Sequence, residues 1–336
     1  MEQPFSKLPE VPRSQELLDI AFSRAMRRGV KAPRRMPRDL RVRMREEARI
    51  TSAGYIIINK LDRVLSETPR LDSLHPFYRE LADVIVGMDR LKKALARLQK
   101  AKEIVSKLIR EHLKALRRTT EPRQALRIRR AFFGRVSSVV EELDEDLSLL
   151  KDSYVKLRRL PSIDPEGTTI VVAGAPNVGK SSFIRCVSTA KPEVASYPFT
   201  TRQVLVGHLK VDGIRVQVLD TPGLLDRPLS ERKPSELQAI AALKHLARSA
   251  IFIIDPSEAS GYTINEQLNV FNEVINFLGD TPCIPVLNKV DLATENKIEQ
   301  VEKAVGKRLP RMVAYRCIGV KEVLDMAIRA AGVLGR

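Results

Sequence analysis

The chain has 336 residues, long enough for two domains with cores of their own. Its longest apolar runs, Tyr55 to Ile58 and Ala250 to Ile254, fall far short of the ~20 residues that cross a bilayer, and Met1 to Lys7 lacks the layout of a signal peptide, so a soluble protein that stays in its compartment of synthesis is expected. The net charge of +17 is uneven, with +14 in residues 1 to 165 (37 Lys and Arg against 23 Asp and Glu) and +3 in residues 166 to 336 (21 against 18). The asymmetry directs a polyanionic partner, most commonly nucleic acid, to the first half. Cys186, Cys283 and Cys317 are too far apart for a C-x-x-C metal or redox motif and read as small core residues in a reducing cell interior.

Leu17, Leu18, Ala21, Phe22 and Ala25 recur at helical spacing within residues 14 to 28, and beyond Pro33 and Pro37 a second helix is expected from Arg38 to Ser66. From Arg24 to Arg49 run eleven Lys or Arg against three acids, Asp39, Glu46 and Glu47. With almost no aromatic residue interleaved, this run suits RNA phosphates better than stacked bases, and Arg34, Arg35, Arg38, Arg41 and Arg45 are the candidate contacts. The alternative is a solvated helix face.

Between 76 and 118, Leu81, Val84, Ile85, Met88, Leu91, Leu95, Leu98, Ala101, Val105, Leu108, Leu113 and Leu116 mark one long amphipathic helix with a break near Gly87. Pro122 opens the next, 122 to 157, whose face holds Leu126, Phe133, Val136, Val140, Leu143, Leu147, Leu150, Tyr154 and Leu157 over ~50 Å. These helices and the earlier pair are expected to form an antiparallel bundle over residues 1–160. The turn-rich 161–167 is a connector, and 168–336 changes to short strands alternating with helices, the pattern of a mostly parallel sheet covered on both faces. Expected strands are 169–173, 203–211, 214–219, 250–255, 283–287 and 311–315, the second and third joined by the hairpin signal Asp212-Gly213.

Directly after the first strand comes Gly174-Ala175-Pro176-Asn177-Val178-Gly179-Lys180-Ser181, followed by Ser182. This G-x-x-x-x-G-K-S run cradles phosphates: its glycines let N–H groups turn inward at a helix N-terminus, Lys180 reaches the β and γ phosphates, and the Ser181 hydroxyl holds Mg²⁺. Asp220-Thr221-Pro222-Gly223 follows the third strand, so that Asp220 holds Mg²⁺ through water and the Gly223 N–H approaches the γ phosphate. In Tyr197-Pro198-Phe199-Thr200-Thr201-Arg202, Thr201 is favoured over Thr200 as the switch hydroxyl on Mg²⁺. Asn288-Lys289-Val290-Asp291 selects the base, because the Asp291 carboxylate can accept N1–H and N2–H₂ of guanine whereas adenine offers no such pair of donors. Asn288 would help on the opposite edge of the ring and the Lys289 stem would cover its face. A further guanine-contacting loop is expected near Tyr315 to Ile318, without an assignment of its residues. Lys180, Thr201 and Gly223 are the catalytic candidates, and GTP and GDP the expected nucleotides.

The order G-A-P-N-V-G-K-S, Y-P-F-T-T, D-T-P-G-L-L-D-R-P-L, N-K-V-D resembles that of the translation-factor-like GTPases of the Obg and Era type. Arg70 to Tyr78 and Leu160 to Pro165 resemble the Nog branch, nucleolar GTP-binding proteins of large-subunit ribosome assembly, in what looks like the shorter archaeal form that lacks the eukaryotic C-terminal extension. The resemblance implies a helical bundle followed by a Ras-like P-loop GTPase domain, with large-subunit rRNA and the pre-ribosomal particle as partners. No membrane partner, a monomer when free, and a cytoplasmic location, or a nucleolar one in a eukaryote, are also expected. Leu224 stands where Ras-type GTPases place the Gln that orients water, so intrinsic hydrolysis on the order of 10⁻³ s⁻¹ or less is expected until an external group completes the site. In related GTPases an Asn at the place of Asn177 helps bind K⁺; the alternative is an Asn that stabilises its own loop.

Overall fold

A computed structural model of the chain describes residues 3–30, 35–195, 197, 204–220, 225–226 and 229–333. Among them, six α-helices precede the first strand: α1 (Ser14–Arg27), α2 (Arg38–Glu67), α3 (Pro76–Val86), α4 (Met88–Arg117), α5 (Pro122–Glu141) and α6 (Asp144–Leu157). One compact unit consists of Phe5–Asp72 with Val86–Arg158. In it α2 packs on α1, α4 and α5, and α4 packs on α5 and α6, which gives a helical bundle as expected, though residues 73–85, expected within it, belong to the other unit. Leu17, Ile50, Ile57, Leu61, Leu98, Val105, Phe132 and Val136 are fully buried there.

The expected break near Gly87 is present, and a second break divides the helix that follows. The run from 76 to 118 divides at Gly87, whose φ of 77° no side-chain-bearing residue holds without strain. The helix expected over 122–157 divides at Glu142-Leu143, where Asp144, Glu145 and Asp146 fill the first turn of α6. Three acids there complement the positive end of a new helix dipole, and Asp144 Oδ1 also accepts from Ser14 N–H and Oγ at 3.3 and 2.5 Å. The buried stripe is rotated slightly too. Ala94, Ile109 and His112 face inward while Leu95 and Leu113 are half-buried, and Phe132 fills the core while Phe133 stacks on Phe22 with ring centroids 4.3 Å apart. His112 is satisfied in place, its Nδ1 lying 2.8 Å from Leu108 O.

The second unit joins Ser73–Ile85 to everything described from Arg159 onward. Its elements are β1 (Thr168–Ala173), α7 (Lys180–Val187), β2 (Glu193–Ala195), β3 (Val204–Val211), β4 (Ile214–Asp220), α8 (Pro234–Ala242), β5 (Ala247–Ile254), α9 (Ile264–Leu278), β6 (Cys283–Leu287), α10 (Glu295–Val305) and α11 (Val320–Ala330). The sheet order is β2-β3-β4-β1-β5-β6, and β3 alone runs against its neighbours. Alternate residues take opposite faces. Ile170, Val172, Ile251 and Ile253 pack with Phe183 and Ile184 of α7 and Val323 and Leu324 of α11, while Phe252 between them meets Phe271 of α9 at 5.0 Å. Asp212 and Gly213, with φ of 48° and 83°, form the β3–β4 hairpin turn.

One strand expectation is corrected, and one strand lies outside the expected set. Residues 311–315 form no strand: among the described residues β6 bonds outward only through Leu287 N–H to Pro310 O and Met312 N–H to Leu287 O, after which the chain turns at Ala314–Arg316 in a 3-10 turn. The sixth strand is instead β2, whose three residues are too few to show an alternation. The connector is anchored as well. Tyr78 of α3 donates its hydroxyl to Ile163 O (2.8 Å) and Pro161 O (3.0 Å) and accepts Ile163 N–H (3.0 Å). Gln217 of β4 exchanges hydrogen bonds with Asp164 N–H and O at 2.9 and 2.8 Å.

Candidate functional site

The mutually parallel β4, β1, β5 and β6 end side by side, and their carboxyl ends deliver the motif residues to one crevice, where open α/β sheets hold ligands. From β1 the chain enters the phosphate loop through Gly174 (φ 136°), where a β-carbon would stand 2.4 Å from Ile253 O. At its far end Gly179 (φ 107°) begins α7. Lys180 is buried and its Nζ donates to Gly174 O (2.7 Å) and Ala175 O (2.8 Å), which places the ammonium inside the ring of the loop. Ser181 Oγ donates to Oδ2 of the buried Asp220 at 2.6 Å. A hydroxyl and a carboxylate so paired, at the end of a strand, form a donor set suited to a hard cation such as Mg²⁺. Asn177 is exposed with φ 62°, a conformation that Asn tolerates better than most residues, and its Nδ2 lies 3.5 Å from Ser260 O. That contact crosses to another loop and does not close on its own backbone.

The N-K-V-D segment continues from β6. Asn288 is buried, its Nδ2 donating to Val178 O at 2.7 Å and its Oδ1 accepting Ala314 N–H at 2.8 Å. Its carboxamide therefore joins the phosphate loop to the 314–318 turn, a role absent from the expectation that it serves the base edge. Lys289 (φ 58°) directs Nζ to Asp255 Oδ2 at 2.8 Å. Asp255, fully buried at the end of β5, also accepts from Ser257 N–H (3.0 Å) and Ser260 N–H (2.8 Å). Asp291 is exposed. Within 314–318 the amides of 314, 316, 317 and 318 are engaged by Asn288 Oδ1, Val313 O, Ala314 O and Val313 O, while the Tyr315 N–H has no acceptor among the described residues. An exposed carboxylate and an unengaged N–H on neighbouring turns complement the N1–H, N2–H₂ and O6 pattern of guanine.

Residues 169–289 match the family model described as 50S ribosome-binding GTPase, and residues 5–164 match that of the NOG1 N-terminal helical domain. An uncharacterised protein of Methanocaldococcus jannaschii is 38% identical over 88% of this chain and 83% of its own. The chain belongs to the NOG1 family of GTPases. Nucleolar GTP-binding protein 1 of Encephalitozoon cuniculi is 36% identical over 97% of this chain, and that of Saccharomyces cerevisiae 32% over 89%. The match takes in 62% and 46% of those two relatives' lengths. A crystal structure of the Plasmodium falciparum nucleolar GTP-binding protein 1 is 33% identical over 52% of this chain and 90% of that one, with a TM-score of 0.46.

Several residues named from sequence lie outside the described ones: Arg34, Thr200, Thr201, Arg202, Gly223 and Leu224. Of the Y-P-F-T-T run only Tyr197 is described. It is buried, and its hydroxyl donates to Ala239 O of α8 at 2.8 Å. Burial and the Glu80 carboxylate hold its phenol well above the ordinary range. In the NOG1 helical domain Arg35, Arg38, Arg41 and Arg45 are exposed, as candidates for phosphate must be. Arg45 Nε, however, pairs with Glu46 Oε1 at 3.1 Å. Glu46 is wholly buried and also holds Arg49 (2.9 Å) and Arg129 (2.6 Å), so part of the basic run is interior ion pairing.

The cysteine expectation is corrected. Cys186, on the last turn of α7, is joined to Cys317 by a disulfide across 131 residues, and Cys283 is the free thiol. Sequence distance excluded a C-x-x-C motif but carried no information on spatial proximity. Among the described residues no helix is long and apolar enough to cross a membrane, and no group of three or more His, Cys, Asp or Glu stands ready for a metal.

Proposed function

We propose that the chain is a GTP-hydrolysing switch in assembly of the large ribosomal subunit, with residues 1–160 as an rRNA-binding helical part, 161–167 as connector and 168–336 as the GTPase part. The observation that carries the nucleotide half is the Asn288 clamp, which holds the phosphate loop and the 314–318 turn together, with Asp291 three residues further along the chain. The relatives' name, nucleolar GTP-binding protein, and the family description of a 50S ribosome-binding GTPase support the ribosomal half, together with the charge of +14 in residues 1 to 165.

Lys180 would stabilise charge on the β and γ phosphates, and the N–H groups of Gly174 to Ser181 would orient them. Ser181 and Asp220, with Thr201 from the switch segment, would hold Mg²⁺, whose chemistry is to neutralise developing negative charge. With Leu224 in place of the water-orienting Gln, hydrolysis waits on an external group from the ribosomal particle or on K⁺ near Asn177. Turnover equal in K⁺ and Na⁺ removes the K⁺ part. In this reading contacts of the γ phosphate with Thr201 and Gly223 bias how the basic helices engage rRNA, and hydrolysis releases the chain.

Co-sedimentation with large subunits, in a non-hydrolysable GTP analogue and in GDP, tests the switch. Retention with the analogue and release with GDP is the expected result; association that ignores the nucleotide overturns it. Leu224 also favours a second reading, a GTP-dependent RNA-binding scaffold with incidental hydrolysis. There a slow-hydrolysis variant still supports growth, whereas a switch requires turnover.

A further inference from the structure

The guanine side of the crevice depends on a segment with little to hold it. In 314–318, Tyr315 and Ile318 are 61% and 57% exposed, and Arg316 lies over the Tyr315 ring at 5.0 Å instead of entering the core. The segment closes on itself through the Val313–Ile318 pair of hydrogen bonds. Its ties to the rest of the site lie on either side of the unengaged Tyr315 N–H: Asn288 on Ala314 N–H before it, and the Cys186–Cys317 disulfide after it. A segment that buries so little surface opens easily unless it is fastened.

The disulfide fastens it to a specific element. Cys186 closes α7, and the first turn of the same helix carries Lys180 and Ser181, about 9 Å away at 1.5 Å per residue. Cys186 Sγ also lies 3.0 Å from Ala314 O, so the sulfur touches the turn at two places. Cys317 is exposed with φ 56°, a left-handed conformation that aims its side chain back toward α7 and leaves the bond accessible to a reductant. The phosphate-holding helix and the guanine-side turn are thus covalently one piece.

We propose that the Cys186–Cys317 disulfide positions the 314–318 turn for guanine recognition, slowing release of a guanine nucleotide by holding the Tyr315 N–H at a fixed place relative to the phosphate loop. The proposal rests on the reading above that this crevice binds a guanine nucleotide. The plain alternative is a staple that stabilises the fold only by constraining the unfolded chain. The two differ in what they change: a staple shifts the melting temperature and leaves ligand release alone, whereas a positioning bond changes contacts to the base and not those to phosphate.

The test uses the full chain purified without reductant. Alkylation after unfolding should label one thiol, Cys283, and three after reduction. Release of a fluorescent GDP analogue is then timed for the oxidised protein, the same protein reduced with a phosphine, and Cys317→Ser, each checked for native circular dichroism well below its melting temperature. Release should be about five- to tenfold faster without the disulfide, the scale of one loosened hydrogen bond. Competition by inorganic pyrophosphate, which engages the phosphate loop and has no base, should be unchanged. Three alkylated thiols before reduction, equal GDP release in both redox states, or equal loss of pyrophosphate and GDP binding overturns the proposal. No GDP binding by the oxidised protein instead overturns the nucleotide reading on which it stands.

Discussion

A β-carbon on Gly179 would stand 2.2 Å from Nδ2 of Asn288, closer than any two such atoms approach. The glycine and the asparagine are therefore one fitted pair: the phosphate loop can accept the Asn288 carboxamide against Val178 O only because residue 179 has no side chain and holds φ of 107°. Asn288→Ala leaves Val178 O and Ala314 N–H without their partner, at a cost of about 1–3 kcal/mol for each buried group. GDP affinity should fall by at least about 30-fold, and thermal stability should fall with it. Gly179→Ala should do the same through the clash and the strained φ. Calorimetric titration of GDP with both variants is the check, and unchanged affinity in either would show that the clamp does not govern the site.

What was legible in the sequence, and what was not, follows from where the information lies. Gly174 to Ser181, Asp220 and Asn288 to Asp291 were legible because each motif sits at the end of an apolar run, and the parallel order β4-β1-β5-β6 brings such ends together whatever the intervening lengths. The links among them were not. Asp255 meets Lys289 only because β5 and β6 are adjacent, and Cys186 meets Cys317 only because the 314–318 turn folds back over α7. The apolar run 311–315 gives no sign that it turns after a single bridge to Leu287. In the bundle, periodicity showed which faces are apolar, but the rotation that buries Phe132 over Phe133 is set by packing partners such as Phe22.

Asp291→Asn should exchange base preference. The carboxylate can accept two guanine donors, while the amide of Asn turns a donor toward the 2-carbonyl of xanthine. GDP affinity should drop by about 100-fold or more, as when a site built for a polar partner loses it, and xanthosine diphosphate should bind more tightly than GDP. Because Asp291 is exposed, stability without nucleotide should not change. Displacement titrations with both diphosphates decide it, and a variant that still prefers guanine would place base selection elsewhere.

Tyr78 makes a pH prediction with a definite sign. Burial pushes its phenol up from 10.0 to about 12, and burial does the same for Tyr154. The unfolded phenols ionise first, so stability from these groups is complete below pH 10 and is lost as the pH rises through about 12. Tyr78→Phe should remove part of that alkaline decline. It should also lower stability near neutrality by about 1–3 kcal/mol, because Ile163 N–H and the carbonyls of Ile163 and Pro161 lose their partner. Denaturant melts at pH 8 and pH 11 separate the effects. A variant as alkali-sensitive as the parent would assign the decline to other groups.

The basic run divides into residues expected to matter for RNA and residues expected to matter for folding. Arg35, Arg38 and Arg41 are exposed, whereas Arg49 and Arg129 hold the buried Glu46 carboxylate at 2.9 and 2.6 Å. Replacing Arg38 and Arg41 with Glu should leave the melting temperature nearly unchanged, since exposed charges contribute little to stability. The same change should weaken binding of large-subunit rRNA and lower the slope of log affinity against log salt by about 0.7 to 0.9 for each phosphate that the protein no longer neutralises. Arg129→Glu should act the other way round: a second carboxylate beside Glu46 leaves buried charge uncompensated at about 3–5 kcal/mol, and any loss of RNA binding should follow loss of helical structure. Salt-dependent filter binding paired with thermal melts reads both. Equal RNA affinity in the Arg38→Glu, Arg41→Glu double variant and the parent would move the RNA-binding face away from the start of α2.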